Sequence, residues 1–382
     1  MIYLLVKSHL EWLEAHGLGF LRLFTDVGFQ TTAAVMLSFV LVLLAAPGVI
    51  AWLRRMKIGD QPNFDQAQVN AMMESKRGTP TMGGILIIGA IALTTLLLAD
   101  MRNFYVQMAL VCLVWLGGVG VADDWLKLTA GRRGGSRQGL TSLEKVLFQI
   151  GLAAVLAVFT YHHGRDIPET HTLYFPFAKP SIASVKLGLG AFILLSMLVL
   201  VGSSNAVNLT DGLDGLAAGT MAIVSFTFLG LALIIGNLQW SGALLFHYVK
   251  AADQMAVLAG AMGGACLGFL WFNCNPASVF MGDTGSLALG GLIGYIAIVI
   301  RQELMLFVVG GVFVAEALSV MLQVGYFKYT RRKYGEGRRI LLMSPLHHHF
   351  QRKGWTENQV VVRFWLIGAM LAAMSLAMVK LR

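Results

Sequence analysis

The chain has 382 residues, 57% of them hydrophobic and 13% charged, with 29 Lys and Arg against 20 Asp and Glu for a net charge of +9. A mean hydropathy of +0.70 lies outside the range of soluble globular domains, so the chain is read as an integral membrane protein. No soluble basic module of the kind that binds nucleic acid is visible, and nucleic acid is excluded as a partner.

The first residues carry Lys7, Glu11 and Glu14 and lack a continuous apolar core with a small-residue cleavage site. They do not read as a removable signal peptide, and insertion is expected to use the first span itself. A span needs about 20 mostly apolar residues. Ten are expected, at about 31–53, 82–100, 104–122, 146–161, 184–202, 213–236, 255–273, 285–300, 304–327 and 361–380. The fold class is therefore all-α, a polytopic helical bundle in the lipid bilayer. Residues 1–382 are expected to form a single membrane-embedded domain, with connections at about 54–81, 124–145, 203–212, 274–284 and 328–360. Cys112, Cys266 and Cys274 lack metal-like spacing and read as packing residues, without disulfide or zinc.

Lys and Arg concentrate in the connections after the first, third and ninth spans, for example at Arg54, Arg55, Lys127, Lys145, Lys328 and Arg331. By the positive-inside rule the odd-to-even connections face the cytoplasm, which puts both termini on the periplasmic side. A basic cytoplasmic face attracts anionic headgroups and phosphorylated solutes.

The polar motifs follow the same order. Gly78-Thr-Pro-Thr-Met-Gly-Gly84, preceded by Lys76 and Arg77, leads into the second span and lacks the Lys-Ser/Thr ending of a P-loop. Asp123 and Asp124 follow the third span. They suit a helix leaving the bilayer, but adjacent carboxylates repel and project about 100° apart on a helix, so one suits a cation while the other meets substrate. Lys127 fits either an intrahelical ion pair or a phosphate. Asn205, Asn208, Asp211 and Asp214 recur every three residues, on one face if helical; capping accounts for one Asp and not two. Asp283, in Phe280-Met-Gly-Asp-Thr-Gly-Ser286, suits an N-cap for the eighth span, shared with Thr284 and Ser286. His347-His348-His349 cannot readily converge on one zinc ion and suits anion contact or proton transfer. All of these fall in odd-to-even connections, hence on one face. Hard oxygen ligands among basic residues favour Mg2+ with a phosphorylated substrate.

These segments together resemble the motif series of the MraY family, the bacterial phospho-N-acetylmuramoyl-pentapeptide transferases. The likeness in order and spacing runs from about residue 30 to the end. The resemblance implies transfer of phospho-MurNAc-pentapeptide from UDP-MurNAc-pentapeptide to undecaprenyl phosphate, giving lipid I and UMP. It also implies magnesium, the bacterial inner membrane and an active site on the cytoplasmic face.

Carried over by motif, Asp283 and Asp124 resemble metal ligands, and Asp123 or Asp124 the residue that positions or deprotonates the lipid phosphate. His347 joins this catalytic set. Lys76 and Lys127 would meet phosphate oxygens, Asn205, Asn208, Asp211 and Asp214 the nucleotide side, and His348 and His349 the sugar phosphate. Phe280 would stack on uracil, while Thr81, Lys145, Asn273 and Gln323 rest on the likeness of single segments. Gln351 departs from the pattern where many relatives carry an acid, which bears on fine specificity.

A GlcNAc-1-phosphate transferase would share the acidic motifs but not the Thr79-Pro-Thr-Met and triple-His segments. A transporter would place its charges near the midplane and show inverted repeats, and no internal repeat is seen. The 43 glycines permit close helix packing, within one subunit or across a homodimer.

Overall fold

In hydrocarbon every backbone N–H and C=O must be satisfied within the protein, so the apolar runs fold as helices. The structure is a computed structural model, and it describes residues 1–56, 78–133, 139–165, 167–178 and 182–377, without the side chains of 130–133. Ten long helices carry the bundle: α1 (Val27–Arg55), α2 (Gly84–Leu98), α3 (Phe104–Arg133), α4 (Ser142–His163), α5 (Leu189–Thr210), α6 (Leu216–Ile235), α7 (Gln254–Asn273), α8 (Gly282–Val299), α9 (Gly311–Tyr334) and α10 (Glu357–Ala377). Among the described residues nine of these are long and apolar enough to cross a membrane, and α2, at 15 residues, is the shorter one. The chain is a multi-pass, all-α membrane protein.

The expected boundaries shift where polar residues face inward. α3 does not end before Asp123 but continues beyond it, and α5 runs to Thr210, so Asn205 and Asn208 are helical and not in a connection. Ser184–Lys186, expected to open the fifth span, is instead strand β2, antiparallel to β1 (Thr172–Tyr174), with Thr172 opposite Lys186. The ninth expected span is divided at Gly310 into Glu303–Val309 and α9. Asp211 and Asp214 do not share a helical face: α5 ends at Thr210, and Gly215 at φ +80° starts α6. α2 starts late because residues 80–83 pair with the segment before α8. Phe280 N–H donates to Pro80 O (2.8 Å), and Gly83 N–H donates to Phe280 O (2.8 Å).

The bundle is built around α8, 89% of whose apolar window is buried, packed by α3, α5 and α2. α7 packs on α1 and α6 beside it. Near its N-terminus α8 meets its neighbours backbone to backbone. A Cβ on Gly84 would lie 2.1 Å from Gly285 N, and one on Gly120 would lie 2.4 Å from Asp283 O. These approaches fix Asp283 between α2 and α3. At the far end of α8 the buried Arg301 pairs with Glu303 (2.6 Å) and donates through Nε to Thr172 O (3.1 Å), tying down the hairpin.

Overpacking of this kind costs about 1–3 kcal/mol. Gly84→Ala is therefore expected to lower the thermal unfolding midpoint in detergent by several degrees, and an unchanged midpoint would contradict the close approach.

Candidate active site

Described residues of the odd-to-even connections and the helix ends beside them meet around the N-terminus of α8. A cavity of about 340 Å³ opens there, lined by Thr81, Asp124, Lys127, Leu128, Asn208, Asp211, Gly212, Leu213, Asp214, Asn273, Phe280, Gly282, Asp283 and His348. Its acidic wall has two kinds of partner. Asp123 and Asp283 share two lysines: Lys127 Nζ lies 2.7 Å from Asp123 Oδ2 and 3.2 Å from Asp283 Oδ2, and Lys145 Nζ lies 3.2 Å and 2.7 Å from the same atoms. Asp123 also accepts from Leu140 N–H at 2.7 Å, which draws the start of α4 toward the site.

Asp124 is held by α8 instead. It accepts from Asp283 N–H (3.2 Å), Thr284 N–H (3.0 Å) and the Thr284 hydroxyl (2.7 Å). A helix N-terminus, with its unsatisfied N–H groups and positive dipole end, is where a buried carboxylate is least costly. Gly282 sits at φ +72°, and a Cβ there would lie 2.6 Å from Asp124 Oδ2 and 2.9 Å from Thr81 Oγ1. Carboxylate oxygens of Asp123, Asp124 and Asp283 all lie within 4.8 Å of one another, an arrangement that could hold a metal ion. Three hard oxygen donors suit magnesium, which the residues therefore fit.

On the other wall Asn208 Nδ2 donates to Asp283 Oδ1 and to Ser286 Oγ, each at 2.9 Å, linking α5 to α8. Asp211 follows the end of α5. Burial, and then the charges of Asp283 and Asp124, push its pKa up to about 7, against the stabilising N–H of Gly282. Asp214 lines the cavity and also braces the next connection: it accepts from Asn275 Nδ2 (3.0 Å) and Ala277 N–H (3.1 Å). Asn273 accepts from Gly215 N–H (3.0 Å) and donates to Val279 O (2.9 Å), fixing the turn between α5 and α6 against the segment carrying Phe280.

The triplet opens the short helix Leu346–Arg352. His348 reaches the cavity. His347 is buried behind it, Nδ1 3.2 Å from Glu316 Oε2, and its backbone N–H donates to Glu316 Oε1 at 3.1 Å. His349 faces away and accepts at Nδ1 from Leu342 N–H (3.1 Å); burial and Lys353 hold its pKa below the ordinary value.

The structure thus gathers Thr81, Asp123, Asp124, Lys127, Lys145, Asn208, Asp211, Asp214, Asn273, Phe280, Asp283, His347 and His348 in or against one cavity. Three expected residues lie apart from it. Asn205 donates to Gln149 Oε1 (2.7 Å), between α5 and α4. Gln323 accepts from Ile340 and Leu341 N–H, each at 3.0 Å, and lines a separate cavity of about 300 Å³ with Lys328 and Arg339. His349 is the third. Lys76 lies outside the described residues. Sequence expectations omit Glu316, although a lone carboxylate inside an apolar span is itself a signal.

Residues 106–301, just over half of the chain, match the glycosyl transferase family 4. Residues 76–88 match signature 1 of the phospho-N-acetylmuramoyl-pentapeptide transferases. The matched stretches contain the whole acidic wall and the segment that pairs with residues 280 and 281.

A carboxyl whose pKa is higher in the folded than in the unfolded chain binds more protons when folded, so its contribution to stability falls as pH rises. Metal-free protein is accordingly expected to lose stability from about pH 4 to about pH 7 through Asp211. Asp211→Asn should flatten that part of the curve, read as the unfolding midpoint against pH in chelator. A wild-type slope in the variant would exclude Asp211 as the source.

Proposed function

The chain belongs to the glycosyl transferase family 4, carries the phospho-N-acetylmuramoyl-pentapeptide-transferase signature and has that transferase activity; from this premise we propose which residues perform it and on which acceptor. The donor is UDP-MurNAc-pentapeptide and the acceptor undecaprenyl phosphate, giving lipid I and UMP. The observation that carries this reading is the acidic wall, where three carboxylates and two lysines meet at the end of a membrane bundle. A water-soluble diphosphate and a membrane-bound phosphate can both reach such a place.

The preferred chemistry is direct in-line attack. An oxygen of the lipid phosphate attacks the phosphorus that bears the sugar, a new P–O bond forms, and the bond to the UMP phosphate breaks with UMP leaving. Lys127 and Lys145, and Lys76 beyond the described residues, meet phosphate oxygens and offset charge in the transition state. Asp123, beside both lysines, orients the lipid phosphate. Asp283 and Asp124 would hold magnesium, which when bound supplies charge neutralisation to the diphosphate. Asn208 keeps Asp283 in place, Asp211 and Asp214 shape the nucleotide side, Phe280 offers a ring to uracil, His348 serves the sugar phosphate, and His347 supports it from behind.

The competing scheme has Asp283 attack first and form a phospho-enzyme. The two ion pairs on Asp283 favour the direct route, since they lower the nucleophilicity of its carboxylate. The cavity faces the cytoplasm in this reading, both termini lie outside, and the chain works as one domain in the bacterial inner membrane.

Asp283→Asn is expected to reduce UMP release by at least about 10²-fold while the protein still folds in detergent. The assay mixes purified protein, magnesium, UDP-MurNAc-pentapeptide and a polyprenyl phosphate; near-normal turnover would sink the ligand assignment. Chelation should stop release and added magnesium restore it. With UDP-GlcNAc as donor no release is expected, and release at a comparable rate would favour the GlcNAc-phosphate reading.

A further inference from the structure

Glu316 lies on α9 without solvent exposure, inside an apolar span where a carboxylate is costly unless partners hold it. Both of its oxygens face one residue. Oε1 accepts the backbone N–H of His347 at 3.1 Å, and Oε2 lies 3.2 Å from His347 Nδ1. His347 stands in the first turn of the helix Leu346–Arg352, whose first N–H groups have no acceptor within the helix. One carboxylate therefore caps that helix and orients the ring.

The ring in turn touches two walls of the cavity without lining it. Its Nε2 faces Gly212, where a Cβ would lie 2.4 Å away, and its centroid lies 4.2 Å from that of His348. Gly212 and His348 both line the cavity. Gly212 also follows Asp211 directly, so the depth of the imidazole sets how far that turn can settle.

We propose that Glu316 is a positioning residue for the transfer: by clamping His347 it fixes the Asp211–Gly212 turn and the helix that presents His348. The inference rests on the transferase reading above. The carboxylate accepts the backbone N–H of His347 through one oxygen and sets the other beside ring Nδ1, so main chain and ring are placed by the same group. A glutamine in its place keeps the volume but brings an N–H2 group to one of the two contacts. The helix cap or the approach to ring Nδ1 then changes.

The test is a double-mutant cycle on the full chain in detergent, with UMP release as the readout. Glu316→Gln is expected to lower kcat about 10- to 100-fold, as changes to orienting partners do. KM for UDP-MurNAc-pentapeptide should change less than about threefold. In a His347→Ala background the same substitution should cost less than about twofold more, because the two residues act as one unit. Glu316→Asp, which retains an acceptor-only carboxylate, should be more active than Glu316→Gln. Wild-type kcat in Glu316→Gln, a full additional loss in the His347→Ala background, or no advantage of Asp over Gln would each overturn the proposal. Should Glu316→Gln fail to fold, Glu316→Asp is measured alone, and activity no better than that of His347→Ala overturns the proposal. Absence of UMP release from wild-type protein would instead overturn the transferase reading, and this inference with it.

Discussion

The N-terminus of α8 is the point on which the site depends, because a carboxylate removed from water must be met by charge or by N–H donors. Asp124 finds its donors in the backbone of Asp283 and Thr284, and Asp283 finds its charge in Lys127 and Lys145. Neither arrangement is available unless α8 begins at Gly282 and α3 runs alongside it. The helix start thus serves as both scaffold and electrostatic partner. Moving it by one turn, about 5.4 Å, would remove the support of Asp124 and carry Asp283 away from both lysines.

That placement is secured by absent side chains. Gly84 and Gly120 let two helices approach the backbone of residues 283–285 more closely than any Cβ allows, and Gly290 does the same for α5 at Ser203 and Ser204. Helices in lipid gain nothing from burying apolar surface against one another that lipid does not already give, so close packing carries more of the energy. The position of Asp283 is accordingly fixed by dispersion and backbone contact on three sides, and its ionic partners adjust to it.

The class of fold was legible in the sequence because apolar runs of sufficient length have few alternatives in a bilayer. Helix ends were less so. Asp123, Asn205 and Asn208 interrupt the apolar pattern, yet the backbone stays helical because those side chains face a partner or a cavity and not lipid. Hydropathy registers the polarity and not the direction in which it points. The convergence of Asp123, Asp124, Asp211 and Asp283 followed from counting spans, since each lies in an odd-to-even connection or on a helix leading into or out of one. The separation of Asp211 from Asp214 did not, because a three-residue spacing reads the same in a helix and in the turn that Gly215 closes. Gln323 and His349 followed their segments by likeness, and their contacts with residues 340–342 are set by a connection whose path no local pattern encodes.

The charge balance of the cluster bears on how two anions come to share one cavity. Asp123 and Asp283 are matched by Lys127 and Lys145, while Asp124 and Asp211 rely on neutral N–H and hydroxyl donors. A phosphate approaching this wall competes with the two carboxylates for the same ammonium groups. Each lysine that turns toward phosphate leaves a carboxylate oxygen exposed beside two others within 4.8 Å. Bringing anionic substrates into the cavity therefore raises its demand for a hard divalent cation, and on the proposed reading substrate and magnesium favour each other's binding through the same three carboxylates.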